Sequence, residues 1–207
     1  GCPSILLWQK HIAEIQQKVG SIKKIRFRSK KFGWHGYVTE FIGEQKTEAN
    51  RRLDNFYFLF FEDNLLNRAC YHCEPRGSLS YCDLRLGDFW GTDYDLNTRG
   101  VSCVIPVTQA GTEVFDQISS SLEVIEHEFA DVLPAQSISR DCQIDWPKRA
   151  SLFKNISSEM KLSQIVAEYM RGCSTRKRVK FRARNILERL PVGVVLAMKR
   201  GYHHLTK

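Results

Sequence analysis

Between Leu53 and Leu65 the apolar residues fall at helical spacing: Leu53, Phe56, Tyr57, Phe60, Phe61 and Leu65. An aromatic stripe this dense on one short helix must be covered, so it dictates a core that other elements enclose. The neighbouring periodicities supply partners of both kinds. After Pro3-Ser4, the residues Ile5, Trp8, Ile12, Ile15 and Val19 form one helical stripe, closed by Gly20. Ile22 to Arg28 alternates as a strand, with Ile25 and Phe27 set against Lys24, Arg26 and Arg28. The segment from Lys30 to Gly36 reads as a turn and Tyr37 to Ile42 as a second strand, so a hairpin is expected. Farther on, Asp83 to Leu86, Val101 to Val107 and Leu122 to Glu126 read as strands, and Thr112 to Ser120 as a helix. Pro134 to Pro147 reads as irregular; Met160 to Arg171, Lys177 to Leu190 and Val192 to Tyr202 read as helices. The expected fold class is α/β in the broad sense (α+β), a mixed sheet with flanking helices and a basic helical C-terminal tail. Hydrophobic residues at 43% and charged residues at 26% fit a globular chain, not a disordered one.

The net charge of +8 first suggests a nucleic-acid binder. Its distribution argues otherwise. Residues 176–207 hold ten Lys/Arg and one acid, Glu188, a net of +9; residues 1–175 hold 21 Lys/Arg and 22 acids, a net of −1. The excess belongs to the tail. The aliphatic stretch from Leu190 to Met198 is far short of the ~20 residues that span a bilayer. No secretory signal is visible, and position 1 is Gly, not Met, which suits a fragment or processed form.

The cysteines carry the chemistry. Seven of them, at 2, 70, 73, 82, 103, 142 and 173, are odd in number and mostly scattered, as in a protein of the reducing cytoplasm. Three cluster. Cys70-Tyr71-His72-Cys73 is followed after eight residues by Cys82-Asp83, and then by Gly87-Asp88-Phe89-Trp90-Gly91. Two thiols two residues apart on a loop can point at one metal ion or one cluster face, or they are a chance pair of loop cysteines. No second pair supports zinc, and no βαβ context precedes the pair to suggest a thioredoxin-like redox motif. Phe89 and Trp90 between two glycines offer a stacking face to a ligand, or they fill the core after a strand. No hydrolase triad, P-loop or Gly-x-Gly-x-x-Gly is present.

Taken in order, these landmarks resemble the C-terminal region of the coenzyme F420 hydrogenase/dehydrogenase beta-subunit family. Gly1-Cys2-Pro3-Ser4 with Trp8 looks like the end of that family's Cys-His-Gly-x-Pro-Ser segment. Ile25 to Lys30, with Gly33-Trp34 behind it, is similar to its "FRDK…GW" strand and turn. Cys70-x-x-Cys73 with Leu86 to Gly91 resembles its most distinctive segment, and Gly100-Val101-Ser102 followed by Thr108-x-x-Gly111 its next strand and helix. The resemblance covers residues 1–155; the basic helical extension 156–207 matches nothing named.

It implies an iron–sulfur flavoprotein oxidoreductase in which FAD exchanges electrons with a 4Fe-4S cluster, with coenzyme F420 as one substrate of the family. Cys70 and Cys73 would be cluster thiolates on a cluster-binding loop, with Cys82 a third. Arg28, Lys30, Trp34, Asp88 and Trp90 would lie at the flavin or deazaflavin. The family's own Cys-His-Gly cysteine and its N-terminal half would precede Gly1, so the implied chain is an electron-transfer module that works with that half or with a redox partner protein. A zinc-stabilised or metal-free binding module of the same fold is the alternative.

Two basic segments lie outside the cysteine motif. Lys23, Lys24, Arg26, Arg28, Lys30 and Lys31 form a strand and turn with no acid among them; they suit anion binding or an edge strand guarded by charge. The tail run Arg176 to Arg184, followed by Ile186, Leu187 and Leu190, suits an anionic membrane at the inner face or an acidic protein surface, or a solvated helix packed by its apolar stripe. It has no aromatic interleaving or named motif to favour nucleic acid.

Overall fold

The computed structural model describes all residues except 51–52, 91, 95–96, 134–135, 137–143, 188, 191–193, 195–196 and 199–207. Gly91, Cys142 and most of the expected helix Val192 to Tyr202 fall outside the described residues. In chain order the elements are α1 (Ile5–Val19), β1 (Lys24–Ser29), β2 (Val38–Ile42), β3 (Lys46–Asn50), α2 (Asn55–Phe61), β4 (Leu84–Asp88) and β5 (Ser102–Pro106). They continue with α3 (Gln109–Ser119), α4 (Phe129–Val132), α5 (Trp146–Ile156), α6 (Leu162–Arg171) and α7 (Thr175–Leu187). The class is the expected mixture of α and β, with the strands divided between two small antiparallel sheets, β1-β2-β3 and β4-β5.

Compactness divides the chain differently from the resemblance boundary at residue 155. One unit joins Gly1–Tyr71 to Gln143–Lys207; the other is His72–Cys142.

In the first unit α1 begins where Ser4 Oγ accepts the amide of Leu7 at 3.3 Å and ends at Gly20, whose φ of 72° is a left-handed cap. Its buried row is Leu7, His11, Ile15 and Val19, while Ile5 is exposed. α2 is shorter than the periodicity suggests, because Asp54 caps it at Phe56 and Tyr57. Its Phe56, Phe58 and Leu59 join Leu7 of α1, Leu152 of α5 and Ile165 of α6 in the main core. β3 and α5 carry no apolar alternation strong enough to announce them. β3 is held instead by its full register against β2, from Val38↔Asn50 to Ile42↔Lys46.

β1 is an edge strand, as its charge suggests, but its alternation fails at Phe27. The pairing with β2 shifts between Arg26 and Ser29, and Arg28 adopts a left-handed φ of 52°. Such a bulge rotates the strand, so Phe27 lies exposed. The cations of this strand also have partners that its own sequence lacks. Arg26 faces Glu40 directly across the sheet, and Glu40 also takes Ser29 and Lys46. Burial opposes ionisation of Glu40, but those hydrogen bonds and the two cationic charges outweigh it and hold its carboxyl below the ordinary range.

In the second unit β4 and β5 pair from Leu84↔Pro106 to Asp88↔Ser102. Phe89, Cys103 and Val132 form its small core. Burial pushes the Cys103 thiol up, against the pull of Arg85, which suits an inert packing thiol. The strand expected over Leu122 to Glu126 does not form: the segment is irregular, and among the described residues it joins neither sheet. No helix of the described residues is long and apolar enough to cross a membrane.

Candidate functional site

The loop that ends at Cys70 is built by a residue remote from it in sequence. Arg149, on the first turn of α5, sends one guanidinium nitrogen to the carbonyls of Asn64 (2.8 Å) and Leu66 (3.0 Å) and to the hydroxyl of Tyr71 (2.8 Å). Its plane lies over the rings of Tyr71 and Phe153 at 4.9 and 4.4 Å. Tyr71 in turn donates to the carbonyl of Asp63 and accepts the amide of Leu66. The segment from Asp63 to Tyr71 is thus pinned at both ends, and Cys70 sits inside it.

Cys70 is half-buried. Its sulfur accepts the backbone amide of Cys2 at 3.2 Å. The same sulfur lies 3.9 Å from the Cys2 carbonyl oxygen, so both backbone polar groups of Cys2 face it. Cys73 is an exposed free thiol that opens the short turn Glu74–Arg76, and the half-buried Cys82 donates to the carbonyl of Leu79 at 3.5 Å. Cys70 belongs to the first compact unit, Cys73 and Cys82 to the second. Among the described residues no group of three or more His, Cys, Asp or Glu is gathered to hold a metal ion. His72 is exposed, at the end of the short 3-10 helix Arg68–His72.

Directly after Cys82, Asp83 is fixed from three sides. Thr108 donates its hydroxyl to the Asp83 carboxylate at 2.5 Å, the Val107 amide donates to the Asp83 carbonyl at 2.8 Å, and Gly111 lies against that carbonyl. Asp88 ends β4, with its carbonyl accepting the side-chain amide of Gln136 at 3.1 Å. Phe89 fills the core and Trp90 is exposed, so the two halves of the aromatic pair divide between the bland role and a surface role. Phe89 also packs edge-on to Tyr94, whose hydroxyl meets His127 Nε2 at 2.5 Å.

No family model, curated protein or solved structure matches this chain. The family resemblance therefore rests on the quoted sequence motifs alone.

Part of that geometry gathers residues singled out by sequence. The bulge at Arg28 and the turn through Gly33 (φ 80°) place the Arg28 guanidinium 5.5 Å from the Trp34 ring and 5.8 Å from the Tyr37 ring. The Lys30 ammonium lies 5.2 Å from the same Trp34 ring. Arg28, Lys30 and Trp34 thus form one cation–aromatic cluster in the first unit, whereas Asp88 and Trp90 belong to the second.

Arg149 was not singled out by sequence, and Tyr71 and Cys2 appeared only inside the quoted motifs, without these roles. A lone arginine eighty residues downstream carries no local signal. Arg149→Met is expected to leave two buried carbonyls without their donor and to cost about 2 kcal/mol, roughly 6 °C in thermal midpoint. Faster alkylation of Cys70 by a thiol reagent should accompany it. An unchanged midpoint and alkylation rate would remove Arg149 from this role.

Proposed function

We propose that this chain is an electron-transfer module of an iron–sulfur flavoprotein oxidoreductase of the coenzyme F420 hydrogenase/dehydrogenase beta-subunit type. The observation that carries the reading is Cys70: a pinned, half-buried free thiol that accepts a backbone N–H, three residues before the exposed Cys73. The donors fit part of a cluster and not the whole, because a 4Fe-4S cluster commonly takes four thiolates and no complete set is gathered among the described residues. Cys70, Cys73 and Cys82 would contribute to a ligand set completed by the N-terminal half or by a redox partner protein. Arg28 and Lys30 would take the phosphates of FAD or of the deazaflavin, as forked and flexible cations do. A bound flavin supplies hydride acceptance and single-electron release. The reading places the protein in the cytoplasm, peripheral to the inner membrane face.

The same missing donor set favours a second reading, a metal-free or zinc-stabilised binding module of the same fold. Anaerobic reconstitution with iron and sulfide, on the chain joined to its N-terminal half, separates the two. The first reading expects a brown, EPR-active species that Cys70→Ser and Cys73→Ser each abolish. A species unchanged by both substitutions sinks the ligand assignment. Stoichiometric zinc, or no metal and no flavin, selects the second reading.

A further inference from the structure

We propose that the outward face of α7 is a docking surface for an anionic lipid bilayer, on which the helix lies flat. The proposal rests on the peripheral placement in the reading above and is independent of its redox part.

The inner face of α7 is committed to the body. Lys177 donates to the Glu62 carboxylate, which also accepts the Tyr169 hydroxyl, and Lys177 reaches that hydroxyl at 3.3 Å. Phe181 packs edge-on against Phe58 with ring centres 4.8 Å apart, and the Arg184 guanidinium covers both rings at 5.8 and 5.5 Å. Residues 177, 181 and 184 are spaced by four and three, so they mark one side of the helix. That side is anchored, and this fixes what the other side presents.

The opposite side carries Val179 and Ile186, seven residues apart and 58% and 66% exposed. Arg182 shares that side, with Arg178 on one flank and Arg176 and Lys180 on the other, all exposed. No acid occurs anywhere from Thr175 to Leu187. A helix anchored only through its apolar stripe would turn polar residues outward. Here β-branched aliphatics stand outward instead, between rows of cations. Leu187, at the C-terminal end, and Val194 and Met198 beyond it are also exposed.

This arrangement matches an interfacial helix, whose aliphatic ridge enters the headgroup boundary while flanking cations meet lipid phosphates. The charge is complementary to an anionic leaflet, and residues 176–207 carry the whole net excess of +9. Nucleic acid fits less well, because a phosphate backbone would leave Val179 and Ile186 without a partner and the outward face holds no aromatic platform. The interaction is reversible, since one short helix with two central aliphatics buries little apolar area.

The test is co-sedimentation of the full chain with large unilamellar vesicles. One set is phosphatidylcholine alone and the other contains about 30% phosphatidylserine. Binding is expected only to the anionic set, weakening at least tenfold between about 0.1 and 0.5 M salt. Arg178→Gln with Arg182→Gln is expected to weaken it roughly 30-fold, at about 1 kcal/mol for each cation near the surface. Ile186→Ser with Val179→Ser should weaken it several-fold at constant charge, which an electrostatic contact with an acidic protein or an oligonucleotide would not show. All four positions are exposed, so thermal midpoints should stay within about 1 °C of the parent. Equal partition to both vesicle sets, full binding by the double glutamine variant, or indifference to the double serine variant overturns the proposal. Tighter binding to a random-sequence oligonucleotide than to the anionic vesicles overturns it as well. Loss of vesicle binding leaves the iron reconstitution result untouched, and the reverse also holds.

Discussion

Gly111→Ala is expected to destabilise the unit that holds Cys82 and Asp88 by about 3 kcal/mol or more. The sign is opposite to what helix propensity gives. Gly111 lies in the first turn of α3, where alanine normally gains roughly 1 kcal/mol over glycine. Here a Cβ would sit 1.9 Å from the Asp83 carbonyl oxygen and 2.6 Å from its carbon. Both are backbone atoms, so no side chain can swing aside. The helix must retreat from β4, and retreat breaks what the close approach allows. Thr108, the cap of α3, accepts the Gly111 amide at 3.2 Å while its hydroxyl holds the Asp83 carboxylate. The Val107 amide bonds the Asp83 carbonyl itself. The variant should lose hydrogen-exchange protection along β4 and β5 first, and Cys82, adjacent to Asp83, should become more reactive. Protection equal to or greater than the parent's would show that propensity wins and that the approach is looser than described. Thr108→Val, which removes the hydroxyl and keeps the shape, should give a smaller loss, about 1 kcal/mol.

Much of the first unit was legible because its signals are local. Ser4 and Gly20 bracket α1 as their chemistry dictates, and the charged turn through Gly33 joins β1 to β2 as expected. What failed to show depended on partners distant in sequence. The α1 stripe reads Ile5, Trp8, Ile12, Ile15, Val19 when only aliphatic and aromatic residues count. The buried row is Leu7, His11, Ile15, Val19, because a histidine holds a core position that periodicity assigns to solvent. β3, Lys-Thr-Glu-Ala-Asn, has one buried residue, Ala49, and exists through its ladder alone. Conversely Leu122, Val124 and Ile125 carry strand propensity but stay exposed without a ladder. The site follows the same division. The cation–aromatic cluster of Arg28, Lys30 and Trp34 is local and was foreseeable as a group. The Arg149 clamp on the cysteine loop joins residues about eighty positions apart and was not.

The histidine missed by periodicity makes the strongest pH prediction. His11 is 3% exposed, stacked on Phe56 with ring centres 4.5 Å apart and edge-on to Phe41 at 5.4 Å. Its Nε2 has no hydrogen-bond partner among the described residues. Burial pushes its pKa down to about 4, with Glu14 pulling upward and Lys18 adding to the fall. The unfolded chain titrates near 6.5. Protons therefore bind the unfolded state preferentially between these values. Stability from this group is complete above pH 6.5 and is lost as pH falls towards 4, by roughly 3 kcal/mol in total. Asp54 works in the other direction at the acid end, since burial raises its pKa against the amides of Phe56 and Tyr57. A comparison that isolates His11 is therefore required. His11→Phe keeps the ring stack and removes the titration. The two proteins should differ by less than about 1 kcal/mol at pH 7.5, whereas at pH 4.5 the phenylalanine variant should be the more stable by roughly 3 kcal/mol. Parallel urea midpoints across that range would show that His11 takes up its proton inside the folded core, and that the aromatic cage around it opens more readily than its packing implies.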